Sequence, residues 1–283
     1  MPAMTWPNSA KLALSVVVNV EEGAEARIDE GDKRPEPVDE LGISMKAPIR
    51  NYGNESNYAY GIKAGAPRIM RLLKEYGVRS TFTAAAQALE RAPDLTAEIV
   101  AQGHEVCSHG NKWIHQFSMK EDQEREFIRN AVQSIQRTTG TRPYGWLSRY
   151  LLTPNTRRLL IEEGFTYHMD DYSDDLPFWN DQAARDIVIM PYALDSNDMK
   201  MWTDPAMTPA NWLEYAVDTF DWLYREGEAG EPKMMSFGVH LRIVGRPGRI
   251  GYFEQFLAHV KSKPDIWIAT RKEISDHFRA QSA

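Results

Sequence analysis

The chain has 283 residues, 42% of them hydrophobic and 26% charged, and its net charge is -7 at pH 7. This length is enough for one large core and lies near the upper limit for a single domain. The negative charge argues against a nucleic-acid-binding surface. No apolar run approaches the ~20 residues of a membrane helix, and residues 1–11 lack the basic and apolar regions of a secretory signal. We therefore expect a cytoplasmic protein.

Apolar, β-rich runs alternate with helical patterns along the chain. The first run, LALSVVVNV, predicts a strand that ends at Glu21-Glu22-Gly23. The single cysteine, Cys107, excludes an internal disulfide framework, and we expect it to be a small buried strand residue. The predicted strands cover residues 12–20, 79–85, 104–108, 144–147, 165–169, 187–191, 234–239 and 265–269.

Helices are predicted between these strands. Apolar residues between positions 62 and 76 recur at helical spacing, and Gly77 ends that helix. Some helix starts show threonine followed by proline, and others show the spacing of a capping box. These starts are Thr153-Pro154, Thr208-Pro209, Ser118…Glu121 and Thr270…Glu273.

The alternation of strands and helices indicates an α/β fold with a mostly parallel sheet. About eight strands in one domain favour a closed or distorted (β/α) barrel over an open doubly wound sheet. No G-x-G-x-x-G motif follows the first strand, which argues against a dinucleotide-binding fold. We expect a single catalytic domain over 1–283.

One long segment interrupts this alternation. Residues 24–58 are polar and rich in glycine, proline and acids, and connections of this length are usually functional or disordered. The segment begins directly after Glu21-Glu22, so we expect it to act as a lid or insertion over the site. A surface excursion or a subunit contact is the alternative.

Polar patches follow several of the predicted strands. Acids and imidazoles at the carboxyl ends of barrel strands meet at one mouth, where they can bind a metal or move protons. The patches are Glu21-Glu22-Gly23, Ser108-His109-Gly110, Leu147-Ser148-Arg149, residues 170–175 and His240-Leu241-Arg242.

At these positions the chain resembles the polysaccharide deacetylase (NodB-homology) superfamily, and within it the allantoinase-like branch that includes cyclic imide hydrolases. The resemblance implies a distorted β/α barrel, hydrolysis of C–N amide bonds, and homo-oligomers such as dimers or tetramers. The segments that carry it are VVVNVEEGAE (16–25), SHGNKWI (108–114), RPYGW (142–146), PNTRRLLIEEG (154–164), DDYSDDLPFW (170–179), MPYALDSNDMKMW (190–202) and SFGVHLRIVGRPGR (236–249).

The resemblance assigns roles to the two adjacent acids. Glu21 takes the position of the general base, and Glu22 that of a metal ligand. Neighbouring carboxylates repel, so a cation can hold one ionised while the other keeps a raised pKa suited to proton transfer. Strand alternation would point the two side chains to opposite faces, but the strand ends here, so we expect both to face the mouth.

The histidine patch departs from the metal-dependent deacetylases, which place two histidines four residues apart. Here His109 is followed four positions later by Trp113, as in allantoinase-like members. His115 could reach the same ion through a loop. Zinc or another divalent metal held by Glu22, His109 and His115 is therefore one expectation, and His109 as a metal-free acid or hydrogen-bond donor is the other. No organic cofactor is expected.

His240 matches the family histidine that acts as general acid and protonates the leaving nitrogen. A histidine with an acid partner suits that task. An acid among Asp171, Asp174 and Asp175 would orient the catalytic histidine, and we favour Asp171.

Arginine and tryptophan side chains near the motifs are candidates for substrate binding. Arg242 and Arg246 could bind carboxylate, ureido or imide oxygens, and tryptophans could form the walls around a small planar ligand. Surface ion pairs and aromatic core packing are the alternatives. The candidate tryptophans are Trp113, Trp146 and Trp179.

The expected function is hydrolysis of a C–N bond in a small cyclic amide, imide or ureide such as allantoin. The substrate is then a small molecule, with no nucleic-acid or membrane partner. One alternative is a metal-dependent deacetylase of an N-acetylated sugar or polysaccharide, against which the expected lid and cytoplasmic location argue. Another is a non-catalytic ligand-binding relative, which the replacement of a histidine by Trp113 suggests.

Overall fold

The fold is built around one curled sheet, seen in a computed structural model that describes residues 4–282 except 41, 43–46, 193 and 204. Its central strand, β1 (Leu12–Val20), is buried along its whole length. One edge of β1 pairs in parallel with β8 (Lys233–His240), and the other pairs with β2 (Thr81–Ala84) and β9 (Ile266–Ile268). A parallel strand buried on both faces reads as a continuous apolar run, as LALSVVVNV does.

The remaining strands complete a distorted barrel, which confirms the predicted fold. The sheet order is β6-β7-β5-β4-β3-β2-β1-β8, and β6 is antiparallel to β7. An isolated bridge between Asn197 and Gly238 brings the chain after β7 against β8. These strands are β3 (Glu105–Ser108), β4 (Gly145–Trp146), β5 (Tyr167–His168), β6 (Phe178–Trp179) and β7 (Val188–Ile189).

Helices cover the outside of the sheet, and none in the described part of the chain is long and apolar enough to cross a membrane. They are α1 (Tyr52–Tyr60), α2 (Ala66–Glu75), α3 (Ala86–Arg91), α4 (Pro93–Ala101), α5 (Glu121–Thr139), α6 (Thr156–Glu162), α7 (Pro209–Glu228), α8 (Pro247–Ser262) and α9 (Arg271–Gln281). A π-helical segment, Gly61–Gly65, joins α1 to α2, and a 3-10 helix, Asp198–Met201, precedes α7.

Two of the four predicted helix starts are confirmed. Thr208 accepts a hydrogen bond from the backbone of Asn211 at the start of α7, and Thr270 and Glu273 form the capping box of α9. The other two are wrong. Helix α5 has Lys120 at its N-cap rather than Ser118. Helix α6 begins at Thr156 because Thr153 caps the preceding turn, where its hydroxyl accepts from the backbone of Asn155.

Candidate active site

A cavity of about 260 Å³ opens at the carboxyl end of β1, β3 and β8. It brings together three of the predicted catalytic or ligating residues, Glu21, His109 and His240, as well as Trp113. Each of these side chains is at least nine-tenths buried. Because Glu21, His109 and His240 lie at the carboxyl ends of three different strands, the curled sheet places them around one small space.

Glu21 is at the centre of the charged groups. Its Oε2 lies 2.6 Å from Nη1 of Arg242, and its Oε1 lies 3.5 Å from Nε2 of His109 and 3.4 Å from Nε2 of His240. Burial by itself would raise the pKa of Glu21, but Arg242 and His240 outweigh it and hold the pKa well below its usual value. Glu21 is therefore a carboxylate at neutral pH.

His240 is oriented by Asp198, a fully buried acid in the 3-10 helix before α7. Nδ1 of His240 donates to Oδ1 of Asp198 at 2.6 Å, which directs Nε2 toward Glu21. Burial would lower the pKa of His240, but Glu21 and Asp198 together raise it to about 9. His240 thus holds a proton at neutral pH.

The expectation that Asp171 orients the histidine is wrong. Asp171 is partly exposed and accepts hydrogen bonds from Arg157 at 2.9 Å and from Ser173. The sequence prediction placed the orienting acid directly after the predicted strand 165–169 and therefore did not include Asp198. Asp198 lies in the polar stretch after the predicted strand 187–191, and an acid at that position is the sequence feature that indicates it.

Arg242 lies behind Glu21 and does not line the cavity. It is fully buried, with its guanidinium stacked over the rings of Tyr58 at 4.3 Å and Trp202 at 5.3 Å. These aromatic faces hold the cation in place. The structure therefore gives Arg242 contacts with Glu21 and Glu22 instead of the expected position on the cavity wall.

Glu22 points away from the cavity. Its Oε1 accepts hydrogen bonds from the backbone N–H of Arg242 at 3.0 Å and from its guanidinium at 3.3 Å. Its Oε2 accepts from the backbone N–H of Glu21 at 3.0 Å. A Cβ at Gly61 would lie 2.6 Å from Oε1, so the π-helical segment fits closely around this carboxylate. Strand alternation therefore persists past the end of β1, and the expectation that both acids face the mouth is wrong.

Both ring nitrogens of His109 are already hydrogen-bonded. Nδ1 lies 2.7 Å from the carbonyl oxygen of Leu147 and must carry the hydrogen. Nε2 accepts the indole N–H of Trp113 at 3.0 Å, since that group can only donate. No lone pair of His109 is left for a metal ion.

The side chains present do not fit a divalent metal. Glu22 faces away, Trp113 occupies the ligating nitrogen of His109, and Nδ1 of His115 lies 3.0 Å from the carbonyl oxygen of Arg149. Over the described ranges no group of three or more His, Cys, Asp or Glu side chains is placed to hold an ion. The positive charge beside Glu21 comes from Arg242 and from protonated His240.

Three expected substrate contacts lie outside the cavity. Trp146 is in the core, where it packs edge-on against Phe165 and donates to Ser148. The indole N–H of Trp179 donates to the hydroxyl of Ser282. The guanidinium carbon of Arg246 lies 3.7 Å from the centre of the Tyr60 ring. For these two tryptophans, core packing is the correct interpretation, since both are buried in apolar clusters of the core.

Polar residues that sequence reasoning missed form the floor of the cavity. They are Asn19, Tyr192 and Asn197. Asn19 could have been found as the one amide in the mostly apolar first strand. Its side chain points inward, where its Nδ2 donates to the hydroxyl of Tyr192 at 2.9 Å.

The described part of segment 24–58 supports the site from behind. Glu36 and Arg149, both buried, form an ion pair in which Nη1 of Arg149 lies 2.9 Å from Oε2 of Glu36. The carbonyl oxygen of Ala24 accepts from the backbone of Trp113 at 3.0 Å. No described residue of the segment lines the cavity; residues 41 and 43–46, which the expected lid included, lie outside the description. The described residues of segment 24–58 therefore support the site from behind and do not lie over the cavity.

Known proteins are similar to this chain in sequence and in fold. The family model for polysaccharide deacetylases matches residues 57–168. A protein of Schizosaccharomyces pombe, whose name assigns it provisionally to the polysaccharide deacetylases, is 35% identical over 98% of this chain and 92% of its own length. A peptidoglycan deacetylase of Helicobacter pylori is 26% identical over 81% of this chain and 91% of its own.

Two solved structures superpose over nearly the whole chain. The Puue allantoinase is 41% identical with a TM-score of 0.92, covering 97% of this chain and 92% of that one. A probable polysaccharide deacetylase of Pseudomonas aeruginosa PAO1 is 39% identical with a TM-score of 0.92, covering 98% and 93%. With its fold and full-length sequence similarity in agreement, the chain belongs to the polysaccharide deacetylase family.

Proposed function

We propose that this protein hydrolyses a C–N bond of a small cyclic ureide or imide, with allantoin as the first compound to test. Family membership makes the chain a hydrolase of carbon–nitrogen bonds other than peptide bonds. The observation that carries the finer proposal is the Glu21–His240 pair in a cavity of about 260 Å³, a volume that suits a compact ring. The 41% identity to an allantoinase supports it.

In this proposal the Glu21 carboxylate accepts a proton from a water molecule as the water oxygen bonds to the substrate carbonyl carbon. His240, protonated because its pKa is about 9, then gives its Nε2 proton to the leaving nitrogen as the C–N bond breaks. The ring opens to a carboxylic acid and a free N–H. At neutral pH Glu21 is ionised and can accept a proton, and His240 is protonated and can donate one. The raised pKa that the sequence led us to expect for Glu21 is wrong, because Arg242 and His240 lower it.

Two further side chains position this pair. Asp198 accepts the Nδ1 hydrogen of His240, which fixes the ring so that Nε2 faces the reaction. Arg242 keeps Glu21 ionised and, because it is buried between aromatic rings, holds the carboxylate in one place. Neither of these groups needs to touch the substrate.

Deacetylation of an N-acetylated sugar is the second candidate. A wider trough of about 580 Å³ adjoins the cavity and shares Tyr172, Tyr192 and Leu194 with it. Exposed Tyr215 and Trp222 line this trough, and flat aromatic faces of this kind suit sugar rings. The deacetylase names of three relatives also favour it.

A direct comparison separates the two candidates. Purified protein is incubated with allantoin, hydantoin and succinimide, and separately with N-acetylglucosamine oligomers, and the products are followed by NMR. The proposal predicts ring-opened carboxylates from the small rings and no acetate from the oligomers. Glu21→Gln, purified in the same way, controls for contaminating hydrolases. Acetate release with intact rings would establish the second candidate instead.

A further inference from the structure

The hydroxyl of Tyr192 is an unusual group on the cavity floor. Its oxygen accepts hydrogen bonds from Nδ2 of Asn19 at 2.9 Å and Nδ2 of Asn197 at 3.1 Å. A phenol oxygen carries one hydrogen of its own in addition to the bonds that it accepts. The role of Tyr192 therefore depends on which group accepts this hydrogen.

The orientations of both amides are fixed by other partners. Oδ1 of Asn19 accepts from the hydroxyl of Thr83 at 2.5 Å, and its Nδ2 also donates to the carbonyl oxygen of Val239 at 3.1 Å. Oδ1 of Asn197 accepts from the backbone N–H of Met199 at 2.9 Å. Neither amide can flip without losing these bonds, so both must donate to Tyr192.

The hydroxyl hydrogen of Tyr192 therefore has no acceptor among the residues that the structure describes. The side chain is only 8% exposed, and a Cβ at Gly238 would lie 2.4 Å from the hydroxyl oxygen. The phenol is thus held firmly, with Gly238 packed against one side of its oxygen. A buried donor without a partner costs free energy, and such a cost is commonly recovered when a ligand supplies the acceptor.

This donor faces the same space as the catalytic pair. Tyr192, Asn19 and Asn197 line the cavity together with Glu21 and His240. Asn19 also lies directly opposite His240 in the β1–β8 register. A ring bound in this cavity therefore has both the catalytic pair and Tyr192 in its lining.

We propose that Tyr192 donates its hydroxyl hydrogen to a carbonyl oxygen of the substrate and so selects rings that carry a carbonyl at that position. This inference rests on the proposed hydrolysis of cyclic ureides or imides. Tyr192 then contributes specificity, because a site built to donate a hydrogen bond rejects analogues that cannot accept it.

Replacing one carbonyl oxygen by sulfur tests the contact, since sulfur is a weak acceptor. The kcat/KM of hydantoin is divided by that of 2-thiohydantoin and of 4-thiohydantoin, or inhibition constants are compared where an analogue is not turned over. In Tyr192→Phe one of the two ratios is expected to fall about tenfold, the cost of one hydrogen bond. A purely structural role would slow all three compounds by the same factor.

Two further variants sharpen the result. Tyr167→Phe removes a buried hydroxyl that donates to Glu105, away from the cavity, and should leave both ratios unchanged. Ser148→Ala removes another cavity hydroxyl, whose oxygen accepts from Trp146. If the thio ratio changes in Ser148→Ala and not in Tyr192→Phe, the donor is Ser148 and the proposal is wrong.

A structure of Glu21→Gln with bound hydantoin provides a test that does not depend on the Tyr192 variant folding. The proposal requires a substrate carbonyl oxygen within about 3 Å of the Tyr192 hydroxyl, and a carbonyl turned elsewhere would overturn it. If the wild-type protein neither binds nor hydrolyses any cyclic ureide or imide, the proposed function fails and this inference fails with it. Turnover with unchanged ratios refutes the inference alone.

Discussion

Asp198 holds His240 at two points: its Oδ1 accepts from Nδ1 of the ring at 2.6 Å, and its Oδ2 accepts from the backbone N–H of the same residue at 2.8 Å. A second backbone N–H, from Val244, reaches Oδ2 at 3.1 Å. One carboxylate therefore fixes both the backbone at the end of β8 and the imidazole ring of His240.

Asp198→Asn should lower kcat/KM by about 100-fold or more, because an amide has no negative charge to keep the proton on His240 and its NH₂ group cannot accept a hydrogen bond. Without this carboxylate, the pKa of His240 should fall below its value of about 9, because one of the two acids that raise it is lost. His240 is active when protonated, so wild-type activity declines as pH rises through about 9, and the variant declines at lower pH. Rate profiles against pH measure this shift. Asp171→Asn, on the partly exposed pair with Arg157, should behave like the wild type.

Glu21→Gln should lower turnover by more than about 100-fold, because the general base is lost. The depressed pKa of Glu21 also stabilises the folded state at pH above the usual value of 4.5. That contribution disappears as pH falls below this value, and in Glu21→Gln it is absent at every pH. Melting temperatures of the wild type and the variant should therefore converge in acid, and near-normal turnover in the variant would remove Glu21 from the mechanism.

Removal of metal ions should leave activity intact. His109 has no free lone pair, and Arg242 already provides the positive charge beside Glu21. Dialysis against a chelator followed by elemental analysis and rate measurement checks this. Loss of activity on chelation, with recovery on adding zinc, would show that an ion binds through a different arrangement of these side chains.

Glu36→Gln should destabilise the fold by about 3–5 kcal/mol, because it leaves the buried Arg149 without its counter-charge. Since this pair anchors the segment 24–58, limited proteolysis should cut within that segment sooner than in the wild type. Denaturant unfolding measures the first effect. Asp29→Asn removes an acid from an exposed ion pair of the same segment and should change stability little.

The strand pattern was the most predictive part of the sequence. All eight predicted apolar runs contain a strand, and Glu21, His109 and His240 meet because each lies at the carboxyl end of one of these strands. The short strand Phe178–Trp179 was not predicted. Two residues give no measurable alternation, and its pairing with β7 is antiparallel in an otherwise parallel sheet.

Side-chain direction was the least predictable property. Whether Glu22 faces the cavity depends on how far strand alternation continues past Val20, and the sequence carries no sign of this. The role of Asp198 depends on an Asn197–Gly238 bridge that joins segments about forty positions apart. The tryptophans could not be assigned to core or cavity by residue type alone.

Arg242 is a cation that is part of the protein chain, and in the proposed mechanism it determines which amide bonds can be hydrolysed. A guanidinium cannot be diluted away, chelated or exchanged for another ion, so the proposed mechanism predicts catalysis that does not depend on the metal content of the surroundings. A guanidinium bound to the base also does not draw electrons from the substrate carbonyl as a coordinated ion does. A nitrogen that carries a second carbonyl group is a better leaving group, so cleavage of its C–N bond needs less activation of the carbonyl. The nitrogen of a simple acetamide is a poorer leaving group, so its cleavage needs more. The proposed mechanism thus predicts that Arg242 removes the need for a metal ion and at the same time restricts the protein to activated amides.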